Sequence, residues 1–187
     1  MKRYWMFAPL LALLACGQPQ ATAEKSATSA QAQDACVAQA TRNWPIGGQT
    51  FRVDASAHGP SCSMAEATLI IRAPDGAVLF SKTYAISQIS LSFNPNGDQG
   101  TLNDDLNSWI ENQAPGANAS SLPAWPAGAE KPPQFQPAAT RDVYEGARTA
   151  QRPLFCYPDD GESHACVAVD ATAHSAVLLG SRLFERD

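Results

Sequence analysis

Thr50-Phe51-Arg52-Val53-Asp54-Ala55-Ser56-Ala57 alternates without a fault: Phe51, Val53, Ala55 and Ala57 fall on one side, Thr50, Arg52, Asp54 and Ser56 on the other. Successive strand residues point to opposite faces, so this octet predicts a strand with one buried and one wet face. Strands of that kind belong to antiparallel sheets. Downstream, residues 68–72 and 77–84 flank Pro74-Asp75-Gly76 and predict a hairpin, Pro setting φ and Gly supplying a positive φ. Ile89, Leu91 and Phe93 alternate with Ser90 and Ser92 and predict another short strand. Three more are expected over 153–157, 165–170 and 176–184, the first two separated by Pro158-Asp159-Asp160-Gly161.

Helices are expected at three places. Asp34 reads as the N-cap of a short helix over 35–42, stopped by Trp44-Pro45 and Gly47-Gly48. Thr101 with Asp104 resembles a capping box, and Leu102, Leu106, Trp109 and Ile110 share one face of a helix over 102–113. Asp104 and Asp105 suit the positive end of its dipole. A third helix is expected over 141–149. Between the last two, Pro115, Pro123, Pro126, Pro132, Pro133 and Pro137 mark an irregular stretch over 115–137. A loop that long calls for a function, or for two lobes to join. The expectation is a single α+β domain over 34–187, with one or two antiparallel sheets, two or three short helices and disulfide staples.

The 187 residues carry 13 basic and 18 acidic side chains. Without a basic face to offset phosphate charge, nucleic acid is not an expected partner. The longest apolar stretch, residues 4–14, follows Met1-Lys2-Arg3 and is too short to cross a bilayer, which takes roughly 20 residues. A basic start and a short apolar run make a secretory leader.

At the end of that leader stands Leu13-Leu14-Ala15-Cys16. This quartet resembles the lipobox of bacterial lipoprotein signal peptides. The resemblance implies a diacylglyceryl thioether on Cys16, cleavage after Ala15 and acylation of the new amino terminus. Two or more acyl chains anchor stably, at about 0.8 kcal/mol per buried methylene. Gly17 stands where lipoproteins retained in the inner membrane often carry Asp, so the resemblance implies the periplasmic side of the outer membrane. Losing Lys2 and Arg3 takes the net charge from −5 to −7. The lipid, not electrostatics, would then hold the domain at an anionic surface. Residues 17–33 contain no Leu, Ile, Val or aromatic side chain and read as a flexible tether. Its random-coil reach is roughly 20–25 Å.

Cys36, Cys62, Cys156 and Cys166 form an even set in an exported domain, which implies disulfides. Of three pairings, Cys36–Cys62 and Cys156–Cys166 are expected, the second being symmetric about Gly161. Zinc is the rival reading, and the chain holds no CxxC pair to favour it. No cofactor and no metal are called for.

Candidate chemistry is sparse. His58, His164 and His174 are the three imidazoles. Ser163-His164 could suggest acyl transfer, but neighbours in an extended hairpin point apart, and there is no Gly-x-Ser-x-Gly elbow. Asn94-Pro95-Asn96-Gly97-Asp98 has calcium-loop oxygens, yet the sixth and twelfth places hold Gln99 and Asp105, not Gly and Glu. Asp159, Asp160 and Glu162 read as a solvated turn. Asn118-Ala119-Ser120 is a glycosylation sequon, which a bacterial leader makes moot. Trp125, held between Pro123 and Pro126, has two readings: a preordered anchor for a partner, or a lid over the domain's own core.

The expected function is that of a lipid-anchored envelope lipoprotein, a binding or accessory module for an envelope protein partner, with no catalytic residues assigned. One alternative is an inhibitor of lysozyme-type enzymes, whose basic surfaces an acidic domain would attract. The other is an envelope hydrolase whose site is assembled only by the fold.

Overall fold

The alternating octet lies within strand β2 (Gln49–Gly59), and Phe51, Val53, Ala55 and Ala57 are its buried side chains. A computed structural model describes residues 36–183. The expected leader, the lipidated Cys16, the tether, the Asp34 cap and the end of the last strand at Phe184 lie outside the described residues.

β1 (Cys36–Ile46) pairs with β2 across Gly47-Gly48, whose φ values of +55° and +83° suit a two-residue hairpin turn. β3 (Glu66–Arg72) and β4 (Val78–Ala85) form the expected hairpin about Pro74-Asp75-Gly76. The four strands make one antiparallel sheet in the order β1-β2-β3-β4. Its outer face is polar. There Asp54 accepts hydrogen bonds from Thr41 at 3.0 Å and Arg72 at 2.8 Å, and pairs with Arg52 at 2.9 Å. Burial alone would raise the Asp54 pKa, but the bonds from Arg72 and Thr41 and the charge of Arg52 outweigh it and hold it below the usual range.

The helix expected over 35–42 is strand β1. Cys36, Ala38 and Ala40 are buried while Val37, Gln39 and Thr41 are exposed, a period of two that the helix propensity of Ala and Gln conceals. Pro45, read as a helix stop, is tolerated because β1 is an edge strand. The strand expected at Ile89–Phe93 is also absent among the described residues. A 3₁₀ turn spans Ile86–Ile89, burying Ile86 and Ile89 three residues apart, and Ser92 N–H closes a further turn on the Ile89 carbonyl.

The second sheet follows helix α1 (Gln99–Trp109). It consists of β5 (Phe135–Pro137), β6 (Leu154–Pro158), β7 (Ser163–Asp170) and β8 (Ser175–Leu183), in the antiparallel order β5-β8-β7-β6. Helix α2 (Arg141–Thr149) keeps its expected bounds. Two α-helices among the described residues make the fold richer in strand than expected. Phe155, Tyr157, Ala165, Val167 and Val169 of the second sheet join the inner side of the first sheet and α1 in one core. Its other side, with Phe135, Leu154, Cys156, Cys166 and Ala168, packs against Tyr144 and Ala147 of α2 and against Leu122. The second sheet is therefore the middle layer, which explains the unbroken run Ala-Cys-Val-Ala-Val in β7. The proline-rich stretch covers that second core. Trp109 joins the layers, packing on Tyr84, Phe93 and Tyr157 and donating its indole N–H to the Pro158 carbonyl at 2.7 Å.

The start and end of α1 both differ from expectation. Asp98, not Thr101, is the N-cap, its Oδ1 accepting from Thr101 N–H at 2.9 Å. The helix stops before Asn112 because that residue is needed elsewhere. Asn112 Nδ2 donates to the Leu154 carbonyl at 3.1 Å, and its Oδ1 accepts from Cys156 N–H at 3.0 Å. Gln113 N–H donates to the Cys156 carbonyl, and Leu154 N–H to the Ala117 carbonyl. The outer edge of β6 is thus closed by one side chain and two backbone groups, as an added strand would close it.

Both disulfides have the expected pairing. Cys36–Cys62 ties the start of β1 to the 3₁₀ turn after β2, with Cα atoms 5.0 Å apart. Cys156–Cys166 links directly opposed residues of β6 and β7, 4.2 Å apart. Asn112→Ala leaves two backbone groups of β6 without partners and should cost about 3 kcal/mol in urea unfolding. By loop-closure entropy, replacing Cys36 and Cys62 with Ala should cost about 3.5 kcal/mol and the Cys156/Cys166 pair about 2.7 kcal/mol. The same unfolding curves check both values.

Candidate functional site

The edge closure throws the chain after α1 across the open end of β1, and a cleft of about 700 Å³ is left between them. Arg42 to Gly47 forms one wall, the 111–118 segment the second, and Gln151 with Pro153 the third. Trp44 and Ile46 are buried at its floor. Trp44 is held against Phe51 and Phe155, ring centroids 6.3 and 5.3 Å away, so the floor is rigidly packed. At the mouth Arg42 and Glu111 approach to 3.5 Å. Both are solvated, and such a pair contributes about 1 kcal/mol or less.

The third wall is the C-terminal stop of α2. Gln151 N–H donates to the Arg148 carbonyl and Arg152 N–H to the Ala147 carbonyl, the two bonds of a Schellman cap. The residue at the turn must be left-handed, a place glycine usually takes. Here it is Gln151, with φ +49°. A side chain there costs about 1 kcal/mol relative to glycine. Gln151 is exposed and has no side-chain hydrogen bond among the described residues, while Asn43, opposite Arg52, lies on the other face of β1 from Trp44 and Ile46. Asn118, by contrast, uses its Oδ1 to cap a 3₁₀ turn through Ser120 N–H.

Trp125 lies elsewhere. Its ring packs edge-on to Tyr144 at 5.7 Å, its indole N–H donates to the Ala129 carbonyl, and the Arg141 guanidinium lies 6.0 Å from its ring. It is half-buried and packs as a lid on its own core. Glu145 holds it there, accepting from Trp125 N–H at 2.7 Å and pairing with Arg148 at 2.8 Å. Burial pushes the Glu145 pKa up, but these bonds and the charges of Arg148 and Arg141 outweigh it and leave it below the usual range.

The three imidazoles do not converge. His58 is exposed on β2, His164 is half-buried on β7, and His174 occupies the β7–β8 turn at φ +47°. Burial pushes the His164 pKa down, Asp159 pushes it up and Arg182 pushes it down, leaving it lowered. Ser163 donates its hydroxyl to Asp159 at 2.6 Å, which spends the proton an acyl-transfer dyad would need. In the calcium-like loop the oxygens are used internally: Asn94 Oδ1 takes Asn96 N–H, Asp105 takes Asn94 N–H, and Asp98 caps α1. No group of three or more His, Cys, Asp or Glu that could hold a metal occurs among the described residues.

Sequence reasoning passed over Asn43, Gln151, Arg42 and Glu111. Thr149-Ala150-Gln151-Arg152-Pro153 does hold a helix stop, since Pro closes it, but nothing in it shows that a non-glycine residue takes the left-handed place. No protein-family profile matches the chain, and comparison with curated proteins and with solved structures returns no match.

Because the folded pKa of Glu145 is depressed, its contribution is present above the unfolded value, near 4.5, and is lost as pH falls through the folded value. Acid should therefore loosen the lid. The protection factor of the Trp125 amide against hydrogen exchange should fall below about pH 4.5 in the native chain, and in Glu145→Gln it should already be low at neutral pH.

Proposed function

We propose that this protein is a lipid-anchored lipoprotein of the cell envelope and acts there as a binding module, its cleft presented away from the membrane. Leu13-Leu14-Ala15-Cys16 supports the anchor, and two disulfides suit an oxidising compartment outside the cytosol. One observation carries the reading of the cleft. β1 begins at Cys36, where the tether joins the fold, and ends at Ile46, which lines the cleft. At about 3.3 Å per residue its 11 residues separate the two by roughly 30 Å. A protein pulled towards a bilayer by its N-terminal chain would turn the cleft outward. Met64, 64% exposed, and Val37, 45% exposed, lie at the tethered end.

A second reading, inhibition of a basic lysozyme-type enzyme, is favoured by the acidic balance of charge alone. In that reading capture of the enzyme weakens steeply with salt, whereas binding in the neutral cleft does not.

Intact mass of the processed protein should show loss of residues 1–15 and at least two acyl chains on Cys16. Cys16→Ser should move the protein from the membrane to the soluble fraction. An unmodified thiol at Cys16, or a retained leader, overturns the anchor.

A further inference from the structure

Exposed apolar side chains are spread unevenly over the molecule. The large ones among the described residues are Val37, Met64, Val78, Leu91, Val143 and Leu183. His174, in the β7–β8 turn, lies 3.8 Å from Asp75 in the β3–β4 turn, so those turns share one end of the strands with Gly47-Gly48. The opposite end holds the start of β1, the link from β2 to β3, the exit of β4, the β6–β7 turn and the end of β8. Val37, Met64, Leu91 and Leu183 are all there. The Cys36–Cys62 disulfide brings Val37 to the 3₁₀ turn that carries Met64, and the two line a shallow depression of about 350 Å³ with Pro60. Ile86 N–H donates to the Ala65 carbonyl and joins that turn to the segment before Leu91. Leu91 in turn covers Gly161 of the β6–β7 turn, and Leu183 stands opposite Ser163.

The patch is held in shape. Besides the disulfide, Gly59 lets the 3₁₀ turn close back on β2, where a Cβ would collide with the Ala65 backbone. Val37, Met64 and Leu91 are 45, 64 and 77% exposed on this frame. Clustered apolar exposure of this kind marks contact with another protein or with lipid. Position favours lipid. The chain that leads from Cys16 enters the fold at Cys36, the residue before Val37, so a bilayer that holds Cys16 would face this end. Charge narrows the kind of lipid. Glu66, Asp159, Asp160 and Glu162 outnumber Lys82 and Arg182 here, which suits a zwitterionic surface and opposes an anionic one.

We propose that this end of the sandwich rests on the bilayer, with Val37, Met64 and Leu91 entering the headgroup region of zwitterionic lipid. The proposal depends on the acylated Cys16 of the reading above and adds a second, orienting contact. Acyl chains fix where a domain is held but not which way it faces. Apolar side chains on a rigid end fix the facing as well, and keep the cleft turned outward. Tethering raises the local concentration of the patch at the membrane to about millimolar, so a weak surface contact suffices.

Met64 is the only methionine after Cys16, so methyl labelling of methionine in the processed chain gives one signal, at the patch. Val78→Met adds a second at an exposed site of β4, roughly 20 Å along the strands from the row that holds Val37. The full lipidated chain carrying Val78→Met is placed in phosphatidylcholine nanodiscs, and its methyl spectrum is compared with and without a headgroup spin-labelled lipid. The Met64 methyl should be broadened away while the Val78→Met methyl keeps its intensity. Adding Val37→Ser and Leu91→Ser should lower the docked-to-free ratio about tenfold or more and bring the Met64 signal back. An unchanged Tm excludes misfolding of that variant. Equal broadening of both methyls, broadening of neither, or no recovery in the variant overturns the proposal. A Met64 signal that ignores the labelled lipid but shifts with protein concentration makes the patch a contact between copies and also overturns it. Intact mass of the same sample separates the two readings: with Cys16 acylated, these failures sink the orienting contact alone, and an unmodified Cys16 sinks the anchor and the proposal together.

Discussion

A sheet covered on both faces must satisfy its edge within the chain, because water no longer reaches those backbone groups freely. The second sheet is in that position, with one core beneath it and another above. Asn112 meets the requirement by offering its amide as a short imitation of a strand. Much else follows from that one side chain. Helix α1 has to end before it, the next residues have to run along β6, and their path past β1 leaves the cleft. The feature of functional interest is thus a by-product of closing an edge.

The two sheets are tied by aromatic packing more than by polar contact. Trp109 touches Tyr84 from the first sheet and Tyr157 from the second, and the Tyr84 and Tyr157 hydroxyls are 3.0 Å apart. Burial pushes the Tyr84 pKa up to about 12 and Tyr157 higher still, so both stay neutral and the pair holds at any ordinary pH. The disulfides act at the periphery of this arrangement. One secures the entry of the chain at β1, and the other staples β6 to β7 where the edge closure meets them.

Elements governed by local periodicity were legible from the residues alone. The Thr50–Ala57 alternation, the hairpin about Pro74-Asp75-Gly76, helix α2 and the C-terminal strands all stand where expected. The errors share a cause. Ala38, Ala40 and Gln39 favour helix intrinsically, and only pairing with β2 makes them strand. Ile89, Leu91 and Phe93 alternate like a strand, but Ile89 ends a 3₁₀ turn and Ser92 N–H bonds back to its carbonyl, so the segment turns. Asn112 continues a helical pattern and is drawn off it by the β6 backbone.

The candidate site was less legible still. Trp125 stood out because tryptophan between prolines is conspicuous, yet it is spent on its own core. Asn43 and Gln151 are ordinary polar residues 108 positions apart in the sequence. By itself the sequence determined β2, the β3–β4 hairpin, the C-terminal strands and α2, because hydrophobic period and turn chemistry act locally along the chain. Only the tertiary structure decided that the second sheet is the middle layer, that Asn112 seals it and that a cleft opens at the Ile46 end of β1. Those features depend on which edges and faces meet, and that meeting is set by burial of surfaces distant in sequence.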